Sequence, residues 1–340
     1  MQKTTILTFL IFLINTAFGQ LAFDHLSITS GLSQSTVLAI HKDSRGYMWF
    51  GTRDCLNRYD GRNIKVYKTD PNNPSSISGN DYIYAIHEDQ AKTLWIGTQS
   101  GLNRFIPETD SFERILLSKT NPQSISDIIV LSIASGNNGR IWFGTNNGLN
   151  LLKNPSSRAF RKFFKKDGLA GDAIYTVMED SKGNVWVGTT SGLTLMTPTP
   201  EKDKYRFTTF RHSVTDSKSI SSNSVKTIVE DKSGNIWIGT DTEGLNLFVP
   251  ESNSFIRFKH DPLNPNSLSN NIIRKILLHN NGNLWIATMN GLNVMDLKTR
   301  KFVVHKHDSD NNKSLSDNSI KDIYQDNHGS VWIGTMFGGV

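Results

Sequence analysis

The chain has 340 residues and a formal charge of +6, with a pI near 9.2, a balance that alone would permit contact with nucleic acid or acidic glycans. Its lysines and arginines are scattered, and the densest run, Arg161-Lys162-Phe163-Phe164-Lys165-Lys166, reads as one outer strand with a solvated face, so no clustered nucleic-acid footprint is expected. The single cysteine, Cys55, excludes an intramolecular disulfide and leaves the fold to be held by its core.

Lys3 precedes an apolar run from Ile6 to Phe18, and Ala17-Phe18-Gly19 offers the small residues that a signal peptidase reads, which predicts a signal peptide over residues 1–19 with cleavage before Gln20. The run is too short to span a bilayer comfortably, and no cysteine stands at the cleavage point to accept a lipid. The mature chain, residues 20–340, is therefore expected to be exported and soluble.

The rest of the chain repeats. Its seven tryptophans, Trp49, Trp95, Trp142, Trp186, Trp237, Trp285 and Trp332, stand 46, 47, 44, 51, 48 and 47 residues apart, the period of a four-stranded propeller blade. Turn residues punctuate the sequence and no long 3.6-period segment appears, which argues against stacked helix pairs.

The fourteen residues ending at each tryptophan align without gaps, from 36–49 to 319–332. Their fifth position, Ile40, Ile86, Ile133, Val177, Ile228, Ile276 or Ile323, is always β-branched, which predicts a buried inner strand. Asp43, Asp89, Asp180, Asp231 and Asp326 then open a turn, and a glycine such as Gly46 or Gly234 closes it. Lys92, Gly136 and His279 depart from this pattern and predict looser turns in blades two, three and six.

The second strand carries the tryptophan, as in Ile236-Trp237-Ile238-Gly239, where both faces are apolar and so both must be covered by neighbouring blades. Gly51, Gly97, Gly144, Gly188, Gly239 and Gly334 are expected to leave room for the next blade, with Ala287 the one substitution. A second turn, Gly101-Leu102-Asn103 and its copies, starts the third strand; Cys55-Leu56-Asn57 in blade one predicts a different turn there, since a non-glycine residue at positive φ costs about 1 kcal/mol. Outer strands are aromatic, as at Phe112, Phe160, Phe210, Phe255 and Phe302, and proline-bearing loops such as Asn73-Pro74-Ser75-Ser76-Ile77-Ser78 lead on.

Phe23-Asp24-His25-Leu26 matches an outer strand such as Phe255-Ile256-Arg257-Phe258, yet precedes every inner strand, and is expected to close the ring as the outer strand of blade seven. The pattern breaks off at Gly338-Gly339-Val340, where the third strand of that blade should begin. The expected fold is all-β, a seven-bladed β-propeller of four-stranded blades whose last blade is incomplete at the C-terminus, in a chain that reads as a fragment.

The repeated Asp-x-x-Gly-x-x-Trp-Ile-Gly-Thr-x-x-Gly-Leu-Asn resembles the two-component regulator propeller repeat, and the resemblance covers residues 21–340. It implies the periplasmic sensor region of a hybrid two-component system of the Bacteroidetes type, detecting glycans or their breakdown products for signal transduction by phosphorelay. In full-length relatives a second propeller, an immunoglobulin-like domain, a membrane helix and a histidine kinase follow; none matches any motif in this sequence, so the chain itself is not expected to be an enzyme. Implied partners are an oligosaccharide ligand, those downstream domains and a second copy in a homodimer, with no nucleic-acid contact by this region and the parent anchored in the inner membrane.

Function is sought where the repeats differ. The third position of each aligned unit holds Leu38, Tyr84, Leu131, Tyr175, Lys226, Arg274 and Lys321, expected near the mouth of the central channel. Aromatic rings beside cations suit a sugar with acidic substituents, the rings stacking on apolar sugar faces and the cations pairing with carboxylate or sulfate. Against this stands the reading that such positions are merely variable and solvated. Turn residues Arg53, Asp54, Asp241 and Glu243 share the same face with a weaker claim.

No cofactor, catalytic residue or metal site is expected: none of the nine histidines recurs at ligand spacing, His305-Lys306-His307 reads as exposed outer strand, and His41 and His87 read as packing. Virginiamycin B lyase, another seven-bladed propeller, is the enzyme alternative, but no set of channel histidine and acids can be placed. A secreted protein-binding scaffold is the third reading. Cys55 has no base or helix N-terminus to activate it.

Overall fold

A computed structural model of the protein describes residues 21–154, 158–201 and 203–340. The signal peptide expected over residues 1–19 lies outside the described residues. Among these, six antiparallel sheets of four consecutive strands and a seventh of two strands follow one another around a ring. The innermost strands are Val37–Lys42, Ile83–Glu88, Val130–Ser135, Ile174–Glu179, Val225–Glu230, Ile273–Leu278 and Ile320–Gln325. Each packs on the next, and the seventh packs on the first.

The apolar second strands explain how the ring holds. In six blades all five residues of this strand are buried, because one face meets the preceding blade and the other the next. The glycine two residues after the tryptophan sits against the neighbour's inner strand: a Cβ on Gly239 would lie 2.6 Å from Ile273 Cγ2, and one on Gly97 2.8 Å from the Val130 carbonyl oxygen. The same contact closes the ring, with Gly334 of blade seven set against Val37 of blade one. Ala287 is accommodated with no exposed surface.

Four of the five turn aspartates also hold their tryptophans, the exception being Asp326 of blade seven, since among the described residues Trp332 Nε1 has no partner. One oxygen of Asp231 accepts from the amides of Ser233 and Asn235, and the other accepts from Trp237 Nε1 at 2.9 Å. Asp43, Asp89 and Asp180 hold their tryptophans in the same way. Blade three has Gly136 instead, and Glu179 of blade four reaches across to Trp142 Nε1 at 2.8 Å. In blade six His279 stacks on Trp285 with ring centroids 4.9 Å apart, and Trp285 Nε1 has no partner among the described residues.

Three turn expectations need correction. Lys92 adopts φ 66° and keeps the turn that glycine makes elsewhere, its amide donating to the Asp89 carbonyl. His279 also keeps it, because its Nδ1 accepts from the Asn281 amide in place of a carboxylate. Only blade three departs, where Asn138 turns left-handed at φ 59°. Cys55 takes φ 81°, matching the 82° of Gly244, so the second turn of blade one keeps its shape at the cost of local strain. Its thiol is buried and pushed up to about 12 by burial and by a hydrogen bond to Asp54.

The N-terminal segment occupies the outer position of blade seven. Phe23 donates its amide to the Lys313 carbonyl at 2.9 Å, the bond that Phe112, Phe160 and Phe255 make to Ser75, Gln123 and Lys218 in their own blades. Leu26 and Val340 exchange both backbone hydrogen bonds, at 2.8 and 2.9 Å. Further bonds cross the seam between blades seven and one, including Asp322 Oδ2 to the Ile40 amide and Lys42 to Asp326.

Candidate functional site: the central channel

Every inner strand carries a bulge at the same place. Pairing with the second strand slips between Val37 and Ala39, Ile83 and Ala85, Ile174 and Thr176, Val225 and Thr227, Ile273 and Lys275, and Ile320 and Asp322, and in blade three around Leu131. The skipped residues are Leu38, Tyr84, Leu131, Tyr175, Lys226, Arg274 and Lys321. A bulge releases a residue from the ladder and re-aims its side chain. All seven, half-buried, line one central cavity of about 280 Å³.

The wall divides by chemistry. Tyr84 stacks on Tyr82 with centroids 5.6 Å apart, and the Arg53 guanidinium lies 5.2 Å from the Tyr82 ring. Arg53 thus backs the aromatic side from outside the cavity lining. Where the two sides meet, the Lys226 ammonium sits 3.1 Å from the centroid of Tyr175. Asp241 accepts from Arg274 and lies 3.6 Å from Lys226, so it acts as a shared counter-ion and orients both cations.

Lys321 has no salt-bridge partner among the described residues. Burial pushes its ammonium below the ordinary lysine range, and repulsion from Arg274 adds to this. Lys226 is lowered by burial too, with Asp241 opposing. The Nε of Arg274 is buried without a hydrogen-bond partner among the described residues. Three partly desolvated cations share one close carboxylate, which leaves a surplus of positive charge where the surrounding dielectric is low.

Two expectations do not join the site. Glu243 is not in the cavity lining and pairs instead with Lys259 at 2.6 Å. Asp54 likewise stays in its turn, accepting from the Cys55 thiol. Conversely, Lys275 and Asp322, 3.3 Å apart, line the cavity and were not singled out in the sequence. They occupy the strand position that holds Ala39, Ala85 and Ser132 in other blades, and a charge among small residues was the available signal.

His41, His87, His212, His260 and His307 make hydrogen bonds within the fold. His41 Nε2 accepts from the Glu88 amide, and its ring lies 6.1 Å from His87 and 5.3 Å from Tyr324. Burial holds His41 down to about 3 and His87 to about 4, both neutral near pH 7. His212, His260 and His307 recur at one position in three successive repeats, each donating Nδ1–H to a loop carbonyl, of Ile220, Leu268 and Leu315. Among the described residues no group of three or more His, Cys, Asp and Glu could hold a metal ion, and no helix is long and apolar enough to cross a membrane.

The family model described as two component regulator propeller matches seven times, at residues 31–54, 76–100, 124–147, 168–191, 219–242, 267–290 and 314–337. The extracellular domain of the hybrid two component system BT3049 from B. thetaiotaomicron is similar with a TM-score of 0.79 and 30% identity, over 94% of this chain and 41% of that one. That of BT4673 from the same organism gives 0.74 and 26%, over 93% and 39%. Histidine kinase P4 of Formosa agariphila is 45% identical over 56 residues, 16% of this chain and 4% of the kinase. The chain thus spans about two fifths of the solved domains and a small part of the kinase. Virginiamycin B lyase from Staphylococcus aureus matches at a TM-score of 0.65 with 14% identity over 92% of this chain and 95% of the lyase, a likeness of fold alone.

Proposed function

Since the chain belongs to the two-component regulator propeller family, we propose that it is the ligand-sensing part of an exported, periplasmic receptor, the sensor region of a hybrid histidine kinase. The ligand is an oligosaccharide bearing carboxylate or sulfate groups, held at the channel mouth. One observation carries this reading: the same bulge in all seven blades turns the most variable residues of the repeat into one cavity, aromatic on one side and cationic on the other. Tyr84 and Tyr175 offer faces for sugar rings. Lys226, Arg274 and Lys321 offer charge-assisted hydrogen bonds to the acidic groups. Water leaving the cavity would strengthen both.

The kinase of the parent is inferred from the relatives' names and not from residues of this chain. A thermal-shift screen tests the ligand class: uronate-containing and sulfated oligosaccharides should raise the melting temperature, and neutral ones of equal length should not. Equal shifts from both sets, or none from either, would count against an acidic glycan.

A further inference from the structure

The loop that opens blade two is one residue longer than its counterparts. In the other six blades two residues separate Ser33, Ser126, Ala170, Ser221, Ser269 or Ser316 from the first aligned residue of the inner strand, whereas Gly79, Asn80 and Asp81 stand between Ser78 and Tyr82. Asn80 keeps the ordinary place, its carbonyl accepting from the Cys55 amide at 2.7 Å as that of Asn271 accepts from the Gly244 amide. Asp81 is therefore the added residue, and it lies exposed opposite Asp54.

The addition moves Tyr82. In five blades the amide of the corresponding residue bonds within its own loop, to the side chain two places earlier, as Ile272 does to Asn270. The Tyr82 amide instead donates to the Arg53 carbonyl of blade one at 3.1 Å, and its backbone turns left-handed at φ 42°, which no corresponding residue does. A bulky aromatic residue is strained there, and strain of this kind persists where the surroundings impose it, commonly at binding sites. Here it sets the Tyr82 ring on that of Tyr84, with centroids 5.6 Å apart and planes inclined by 21°, so the aromatic wall of the channel continues outside the cavity. The Arg53 guanidinium lies 5.2 Å from the same ring.

The two sides of the mouth differ in charge. Arg53 and Asp81 are both exposed, and among the described residues neither the guanidinium nor the carboxylate has a hydrogen-bond or salt-bridge partner. With Asp54 adjacent, this corner carries one cation and two carboxylates, whereas across the channel Lys226, Arg274 and Lys321 share Asp241. A second acidic group would meet net negative charge at the corner. A neutral sugar would not: its apolar face can stack on a tyrosine ring, and its hydroxyls can accept from Arg53 and donate to Asp81. We propose that Tyr82, Arg53 and Asp81 form a subsite for a neutral sugar unit, next to the acidic unit held in the channel. The ligand is then a mixed oligosaccharide, its acidic end towards blades five to seven and its neutral end over the seam between blades one and two. This assignment rests on the reading of the channel as the site of an acidic glycan.

The test titrates the 340-residue chain calorimetrically with glucuronate, with diglucuronate and with both disaccharides of glucuronate and glucose, one for each order of linkage. One mixed disaccharide should bind at least fivefold more tightly than glucuronate, and diglucuronate should show no such gain. Tyr82→Gly removes the ring and relieves the backbone, and deletion of Asp81 restores the common loop length. Each should abolish the gain and leave glucuronate binding within twofold of the parent, while Tyr82→Phe should keep the gain; circular dichroism will show that the variants are folded. Lys321→Gln should weaken every probe, which separates the channel from the corner. No gain from either mixed disaccharide, an equal gain from diglucuronate, a gain that survives in Tyr82→Gly, or a loss of glucuronate binding in that variant would overturn the neutral subsite and leave the channel reading standing. No binding of any probe by the parent would overturn both.

Discussion

At the residue scale, the turn aspartate is the clearest link between sequence and stability. Burial alone would raise the Asp231 carboxyl, but hydrogen bonds from Trp237, Asn235 and Ser233 hold it below the ordinary carboxylate range. Blade six lacks this arrangement, since His279 leaves Trp285 Nε1 unpartnered. His279→Asp should restore it and stabilise the chain by about 1 kcal/mol, the net value of a buried hydrogen bond; an unchanged urea midpoint would contradict this. The buried histidines give a pH signature. His41 and His87 are neutral when folded, at about 3 and about 4 against an ordinary 6.5. The unfolded chain therefore takes up protons first as pH falls below 6.5, and stability is lost from there down towards pH 3. Thermal melts should show this decline, and replacing both histidines by glutamine should flatten it between pH 6.5 and about 4, the range in which both histidines are shifted.

At the element scale, the second strand is a packing device. Trp237→Ala should cost about 3–5 kcal/mol through the cavity it leaves. Gly239→Ala should cost about 1–3 kcal/mol, because its Cβ would meet Ile273 and Thr227 at 2.6 Å; a variant as stable as the parent would show that the blades can move apart. These roles were legible in the sequence, since an apolar run on both faces and a glycine in fixed register each have one physical reading. The bulge was not. Residues such as Leu38 and Lys226 obey no common composition, and a slipped register leaves no mark on hydropathy when the skipped side chain differs in every blade. The reach of Glu179 to Trp142 was equally hidden, because it joins two blades. Turn geometry was over-read from residue type: Lys92 and Cys55 tolerate a left-handed backbone that the surrounding bonds impose.

At the scale of the whole molecule, the repeats build a rigid ring and their differences collect at its axis. That division predicts that stability and specificity are separable. Tryptophan and glycine variants should lower the melting temperature without altering ligand choice, while channel variants should do the reverse. Asp241 is the useful exception, because it orients Lys226 and Arg274 and its loss should weaken binding without removing a cation. The measurement that bears most directly on this account is a calorimetric titration with one uronate oligosaccharide, comparing the parent chain with Lys321→Gln and with Tyr175→Ala. Both variants should melt with the parent and bind at least tenfold more weakly, with the parent's affinity falling as salt rises. Unchanged affinity in both variants would place the ligand elsewhere and contradict the channel as the sensing site.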